Sequence, residues 1–100
     1  MLQAQIYIDK DELKGAQPLY EFIMQFLTRE KIAGATAFRG EIGYGHEQKM
    51  KRPDALFSFD EPPILITFID EDEKVRHALT ELRKVFEGGF IVVNQVERWN

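Results

Sequence analysis

A glycine-rich stretch followed by cationic side chains is the part of the sequence best suited to chemistry. Three glycines fall within six positions, at Gly40, Gly43 and Gly45. Side chains that are cationic, or can become so, follow them: His46, Lys49, Lys51 and Arg52. In a chain with a formal net charge of -4 this is a local reversal of charge. A mobile basic loop of this kind can close on phosphate or dock on an acidic partner protein.

The glycine spacing differs from the common phosphate-binding motifs. The dinucleotide fingerprint G-x-G-x-x-G opens a helix after the first strand, and the Walker motif needs a lysine followed by serine or threonine. Here the glycines close a predicted strand and no amphipathic helix follows, so a bulge or a close backbone approach is an alternative role. Two interpretations of this stretch therefore remain open: a functional loop, or the end of a hairpin followed by a solvated loop.

The composition excludes several classes of protein. One hundred residues make a single domain, and the absence of cysteine excludes disulfides, thiolate zinc sites and a cysteine nucleophile. The two histidines, His46 and His77, have no metal-ligand spacing, so we expect no dedicated metal site and a surface position for His77. The acidic balance argues against a general nucleic-acid binder. No signal peptide or membrane span is predicted, and we expect a cytoplasmic protein without membrane insertion.

The hydrophobic pattern predicts the element order βαββαβ over a single domain, residues 1–100. Strands are predicted at 2–9, 35–44, 64–69 and 90–96, and residues 10–16 are predicted to form a loop. The first helix should begin near Pro18 and stop at Gly34. The second should start with a capping box formed by Asp70 and Glu73, and end at Gly88 and Gly89. This order is typical of the ferredoxin-like sandwich, an α+β fold with two helices on one face of a four-stranded antiparallel sheet.

Two predicted strands are apolar on both faces. Residues 64–69 and 90–93 are apolar at nearly every position, whereas a sheet with one hydrated face should alternate. Exposing several large aliphatic groups would forgo roughly 1.5–3 kcal/mol each. We infer that a second copy of the chain covers the open face. The alternative is that the segment containing Trp99 folds back over part of it.

Three blocks of sequence resemble a family of PII-like proteins of about a hundred residues. They are Pro-Leu-Tyr-Glu at 18–21, Gly-Ala-Thr-x-x-Arg-Gly-x-x-Gly-Tyr-Gly at 34–45, and Pro-Pro-Ile-Leu-Ile-Thr-Phe-Ile-Asp at 62–70. The resemblance implies a ferredoxin-like fold assembled as a homotrimer. It also implies a sensor-type loop at 46–59 and an adenine nucleotide held in clefts between subunits, as an effector and not as a required cofactor.

The resemblance also implies a set of binding residues. For the nucleotide these are Arg39, Gly43, Tyr44, Gly45, His46, Gln48, Gly88, Gly89 and Phe90. Lys49, Lys51 and Arg52 would neutralise phosphate or engage a partner. The second glycine-rich loop, at Gly88 and Gly89, lacks the lysine with which PII proteins bind phosphates, so AMP or ADP is favoured over ATP. For Arg39 a structural ion pair, and for Tyr44 packing under the loop, remain alternatives to ligand contact.

The resulting functional hypothesis is a non-enzymatic regulator. The nucleotide would set the conformation of the loop and so its affinity for an unidentified partner protein, for which a membrane transporter or channel is one candidate. One alternative is a small enzyme resembling acylphosphatase, but residues 10–16 contain Lys10 and Lys14 and no arginine. Others are an RNA-recognition module, which the aliphatic strand 64–69 disfavours, and a structural oligomer without a ligand.

Overall fold

The computed structural model describes residues 1–42 and 63–100. In these two ranges the secondary-structure elements are, in chain order, β1 (Leu2–Asp9), β2 (Leu13–Lys14), β3 (Gln17–Pro18), α1 (Leu19–Arg29), β4 (Ala35–Arg39), β5 (Pro63–Asp70), α2 (Asp72–Val85) and β6 (Phe90–Gln95). Neither described helix combines the length and the apolar character needed to cross a bilayer.

The main sheet has four strands in the order β4-β5-β1-β6, and every neighbouring pair is antiparallel. Both helices lie on the same face of this sheet, as the ferredoxin-like fold requires. The predicted architecture is therefore confirmed. The chain leaves β4 and β6 as the two edge strands of the sheet, and each has one side without a hydrogen-bonded strand among the described residues.

The core lies between the helices and one face of the sheet. Alternation in β1 sends Leu2, Ala4, Ile6 and Ile8 into it, and all four are buried. The neighbouring strand β5 adds Ile64, Ile66 and Phe68. Each helix contributes one buried stripe at three- and four-residue spacing: Leu19, Ile23 and Leu27 from α1, and Val75, Ala78 and Leu82 from α2, followed by Phe86 at its C-cap.

The first helix ends earlier than Gly34, so that prediction was wrong. Lys31 takes the left-handed conformation with φ 63°. The N–H of Ile32 donates to the carbonyl of Leu27 over 3.1 Å, and that of Lys31 to the carbonyl of Thr28 over 3.0 Å. This pair of bonds is a Schellman motif, in which a lysine occupies the position that usually favours glycine. The buried contact that accompanies such a motif comes from Ile32 and Leu27.

The predicted capping box at the second helix was also wrong. Asp70 is the last residue of β5, and Glu71 is the N-cap of α2 without a side-chain cap bond. The carboxylate of Asp70 instead accepts hydrogen bonds from the N–H of Ala33 and of Glu71, over 2.9 and 2.8 Å. A long-range partner 37 positions away outcompetes the local capping bond.

Two further boundaries differ from the sequence prediction. The loop expected at 10–16 contains half of a small hairpin, because Leu13 and Lys14 pair with Pro18 and Gln17. The strand expected at 35–44 ends at Arg39 within the described residues, although the N–H of Gly40 still donates to the carbonyl of Pro63 over 2.7 Å. The first helix consequently starts at Leu19, with Pro18 as its N-cap.

Candidate functional site

The face of the sheet opposite the helices carries an apolar row that crosses all four strands. The register places Phe38 of β4 beside Leu65 of β5, Leu65 beside Tyr7 of β1, and Tyr7 beside Phe90 of β6. The rings of Tyr7 and Phe90 pack with their centroids 6.2 Å apart. We call these four residues the aromatic row.

Most of the aromatic row faces solvent. Phe90 is 64% exposed, Phe38 53% and Tyr7 41%, whereas Leu65 is half-buried between its neighbours. The next row along the strands is more polar, with Thr36, Thr67 and Gln5 beside Val92. A contiguous apolar strip of this kind on a single chain marks a surface for interaction.

One end of the sheet gathers the described residues that the sequence assigned to a binding site. Arg39 lies at the end of β4, opposite Ile64, and its side chain is exposed. Since it is exposed, burial does not oblige it to form an ion pair. Gly40 follows, and a Cβ there would approach Pro63 Cγ to 2.8 Å, so the backbone directly after β4 lies tightly against β5. Close backbone approach is the alternative role that the sequence analysis gave to the glycine-rich stretch, and Gly40 has this role.

The second glycine-rich turn lies at the same end of the sheet. Gly89 has φ +72°, and a Cβ on it would come within 2.9 Å of Ile8 Cγ2 and 3.0 Å of the carbonyl oxygen of Tyr7. Glycine is required there for both conformation and space. Phe90 follows directly and begins β6.

Arg83 braces this turn, and the sequence reasoning missed it. Its Nη1 donates to the carbonyl of Gly88 over 2.6 Å, and its guanidinium lies 5.1 Å from the centre of the Phe86 ring. The signal was available, because basic side chains in the last turn of a helix often bind the terminal carbonyls. The oxygen Oε2 of Glu12 lies 3.3 Å from where a Cβ on Gly88 would stand, so a carboxylate borders the turn as well.

The two parts of the candidate site lie on opposite edges of one sheet. Arg39 and Gly40 belong to the β4 edge, and Gly89 and Phe90 to the β6 edge. Three strand spacings separate these edges, which is about 14 Å. The described chain therefore brings the two parts to one end of the sheet without bringing them together.

The remaining predicted site residues lie outside the described part of the chain. They are Gly43, Tyr44, Gly45, His46, Gln48, Lys49, Lys51 and Arg52. His77, predicted to be a surface residue, is exposed on α2, and its Nε2 lies 3.8 Å from a carboxylate oxygen of Glu30. In residues 1–42 and 63–100 no group of three or more His, Asp or Glu side chains is placed to hold a metal ion.

The ferredoxin-like topology is also found in solved PII-like and CutA1 proteins. The fold is similar to that of CPII, a nitrogen regulatory PII-like protein from Thiomonas intermedia K12, solved bound to ADP, AMP and bicarbonate. That match has a TM-score of 0.67 and 22% identity, and covers 93% of this chain and 82% of the other. The divalent ion tolerance protein CutA1 from Ehrlichia chaffeensis gives a TM-score of 0.66 at 14% identity, covering 99% of this chain and 83% of the other.

Sequence comparison identifies the family. The chain belongs to the DUF190 family, described as "Uncharacterized ACR, COG1993", whose model matches residues 1–98. A relative named UPF0166 protein from Aquifex aeolicus (strain VF5) is 28% identical over 92 residues, covering 92% of this chain and 87% of the relative. UPF0166 protein MJ1524 from Methanocaldococcus jannaschii is 27% identical over 88 residues, covering 88% and 81%. The resemblance to a PII-like family of about a hundred residues is thereby confirmed.

Proposed function

We propose that the protein is a homotrimeric, non-catalytic regulator that binds AMP or ADP in clefts between subunits. The bound nucleotide sets the conformation of residues 46–59, and that conformation controls affinity for a partner protein. Of all the observations, the exposed aromatic row together with the split of the candidate site between two sheet edges supports this proposal best.

Self-association is favoured by the aromatic row. Covering the row would remove two phenylalanines, a tyrosine and a leucine from water, and each large apolar side chain contributes roughly 1.5–3 kcal/mol when fully buried. Pairing through different surfaces on each copy closes into a ring when the rotation allows it. A ring with the open faces turned inward would bury the row of every copy at once.

Edge-to-edge pairing of copies would assemble the split site. β4 runs antiparallel to β6, because each is antiparallel to a neighbour in the sequence β4-β5-β1-β6. The β6 edge of one copy can therefore continue into the β4 edge of the next as an ordinary antiparallel pair. Gly89 and Phe90 of one copy then face Arg39 and Gly40 of the next across one strand spacing, about 5 Å, instead of three.

An adenine nucleotide suits the cleft formed in this way. The solved PII-like protein of similar fold was bound to ADP and AMP, which supports this class of ligand. On the described part of the chain the cleft offers the exposed side chain of Arg39, whose guanidinium can bind a phosphate group, whereas Phe90 belongs to the aromatic row that the assembly would bury. Arg83 is occupied by the carbonyl of Gly88, so among the described residues the cleft has few free cationic groups, which suits a ligand with few phosphates.

Thermal unfolding with AMP, ADP, ATP and adenosine tests nucleotide binding directly. A ligand at 100 times its dissociation constant should stabilise the protein by about 2.7 kcal/mol. We expect AMP or ADP to stabilise the protein, and Arg39→Ala to reduce this stabilisation. Arg76→Ala, which replaces an exposed arginine on α2, is the control and should leave the stabilisation unchanged. The absence of a shift with all four compounds would contradict the proposal.

Limited trypsin digestion tests the loop switch separately. Lys49, Lys51 and Arg52 are trypsin sites within the proposed sensor loop. If the nucleotide sets the loop conformation, the rate of cleavage at these three sites should change when AMP or ADP is added, while cleavage elsewhere stays constant. Equal cleavage rates with and without a bound nucleotide would contradict the proposed loop switch but not nucleotide binding.

A structural oligomer without a ligand is the second candidate function. The aromatic row by itself accounts for assembly, and this candidate predicts an oligomer that no nucleotide stabilises. The enzyme alternative is tested by turnover of acetyl phosphate, for which residues 10–16 would have to supply the phosphate site through Lys10 and Lys14.

A further inference from the structure

Trp99 is the most exposed large apolar residue of the described chain. It is 96% exposed and lies in the segment 96–100 that follows β6. The start of this segment is fixed, since the N–H of Val96 donates to the carbonyl of Met1 over 3.1 Å. Val93 lies nearby on the helix side of β6 and is 41% exposed, so the helices do not cover this edge of the sheet.

A cavity lies at the opposite edge, between α1 and the start of β4. Its volume is about 370 Å³, and its lining is mostly apolar. The apolar side chains around it are Met24, Leu27, Ile32, Ala33 and Ala35. At its rim stands Thr28, whose hydroxyl donates to the carbonyl of Met24 over 3.0 Å and keeps its lone pairs free to accept another bond.

The strand directions place these two features side by side in an edge-to-edge ring. Because β6 and β4 would pair antiparallel, the end of β6 meets the beginning of β4 of the next copy. In the register that continues the aromatic row from Phe90 to Phe38, Val93 stands beside Ala35 of the neighbouring copy. The segment 96–100 then emerges next to residues 32–34, which line the cavity.

The distance that segment 96–100 can span favours the neighbour's cavity over the chain's own. Trp99 lies three residues after Val96, and three residue steps span at most about 10 Å when extended. The chain's own β4 is three strand spacings from β6, about 14 Å, whereas the neighbour's is one spacing, about 5 Å. The segment can therefore place the indole in the adjacent copy without full extension.

We propose that Trp99 of one copy fills the cavity between α1 and β4 of the next copy and so locks the ring. The ring of Trp99 would lie against Leu27 and Ile32, and its indole N–H would donate to the hydroxyl of Thr28, since a buried tryptophan N–H usually finds a partner. This contact covers the exposed Val93 at the same time. The inference rests on the self-association proposed above and is independent of nucleotide binding.

Cross-linking between differently labelled copies tests the contact. The chain has no cysteine, so Asn100→Cys and Thr28→Cys can be introduced on separate chains and the chains mixed. Each chain then carries one thiol, and any link between positions 28 and 100 joins two copies. With a short bismaleimide we expect this link to form efficiently, and Thr80→Cys on the exposed side of α2 to give no comparable link with Asn100→Cys.

The fluorescence of Trp99 gives a second measurement, because it is the only tryptophan. In the assembled protein its emission should be blue-shifted relative to the unfolded chain. Thr28→Arg should block the cavity and shift the emission to the red, whereas Thr80→Arg should not. The two threonines are matched, since each is exposed and donates to the carbonyl four residues earlier in its helix.

The outcomes separate this inference from the proposed function. An assembled protein that gives no 28–100 link above the control, or whose emission stays that of a hydrated indole, contradicts the Trp99 contact alone. A monomer contradicts both the contact and the self-association on which it rests. A link together with nucleotide-insensitive stability would support the contact while counting against nucleotide binding.

Discussion

The carboxylate of Asp70 binds the backbone N–H of Ala33, with 2.9 Å between Oδ2 and the nitrogen. This bond joins the end of β5 to the turn between α1 and β4, and a second one to Glu71 N–H fixes the entry into α2. The ammonium of Lys74 lies 3.5 Å from the same oxygen. One buried carboxylate therefore joins two connections of the fold, the turn between α1 and β4 and the junction between β5 and α2.

Asp70→Asn should destabilise the protein by about 1.5–3 kcal/mol, the contribution typical of hydrogen bonds to a charged group. The amide has only one acceptor oxygen, so its NH₂ group would face one of the two backbone donors. Urea denaturation measures the change. Asp11→Asn, the same substitution on an exposed side chain, is the control and should alter the free energy of unfolding little. Equal effects of the two substitutions would show that the two bonds contribute nothing specific.

The stabilisation by Asp70 should depend on pH. Burial alone would raise the pKa of Asp70, but the hydrogen bonds from Ala33 and Glu71 and the nearby Lys74 outweigh burial and lower that pKa below the ordinary value for an aspartate. A carboxyl with a lowered pKa stabilises the fold above its unfolded-state pKa and loses that contribution as the pH falls through its folded-state pKa. The difference in stability between the native chain and Asp70→Asn should thus be constant near neutral pH and shrink below about pH 4. A difference that grows on acidification would contradict this assignment.

Gly89→Ala should be strongly destabilising. The residue has φ +72°, and the new Cβ would meet Ile8 and the carbonyl of Tyr7 at 3.0 Å or less. Strained backbone of this kind costs about 1–3 kcal/mol, and the displaced turn would also move Phe90. The control is Gly34→Ala, where no atom lies within 4 Å of the new Cβ and φ is not positive. Thermal denaturation should separate the two variants by several degrees, and indistinguishable melting temperatures would contradict the geometry of the turn.

Lys31→Gly should stabilise the chain. Lys31 holds φ 63° in the Schellman motif, a conformation that disfavours side chains with a Cβ by roughly 1–2 kcal/mol. The greater flexibility of glycine in the unfolded state offsets up to about 1 kcal/mol of that gain. A net increase of about 0.5–1 kcal/mol in the free energy of unfolding is expected, with no gain from Lys31→Ala. Equal stability of the alanine and glycine variants would indicate that the lysine charge, and not its conformation, matters.

Phe38→Lys and Phe90→Lys should each weaken self-association and leave the fold of the protomer intact. Both side chains are mostly exposed in one chain, yet both belong to the aromatic row that we expect to be covered in the oligomer. Leu13→Lys, at a side chain that is 63% exposed in the small hairpin, is the control. Circular dichroism should be unchanged for all three, whereas sedimentation should show dissociation only for the first two. Dissociation of the Leu13 variant as well would indicate a general effect of charge.

The sequence predicted the layered arrangement because the governing signals are periodic. Alternation in β1 and the stripes of α1 and α2 recur at fixed spacing, and the buried residues follow them. Its errors lie where a distant partner decides the local structure. Asp70 and Glu73 have capping-box spacing, but Ala33 offers a competing donor that no local pattern reveals. Gly34 is the obvious helix stop, yet the Leu27–Ile32 contact lets Lys31 end the helix three residues earlier.

The candidate site was predictable in part. The sequence placed Gly89 between the second helix and the last strand, although that helix ends at Val85, and the φ and crowding of Gly89 explain the residue type. The position of Arg39 and Phe90 on opposite sheet edges could not be read from spacing, because it depends on the strand order β4-β5-β1-β6. Arg83 was missed although it lies in the last turn of α2, where basic side chains often bind terminal carbonyls, because the sequence does not show which carbonyl it binds.

Self-association into a trimer is tested by sedimentation equilibrium of the native chain at micromolar concentration. We expect an assembly of three times the 11.7 kDa mass of one chain, because the aromatic row and the split site both require neighbouring copies. A single species at 11.7 kDa would contradict it, since the row would then be hydrated and the two parts of the site would remain about 14 Å apart.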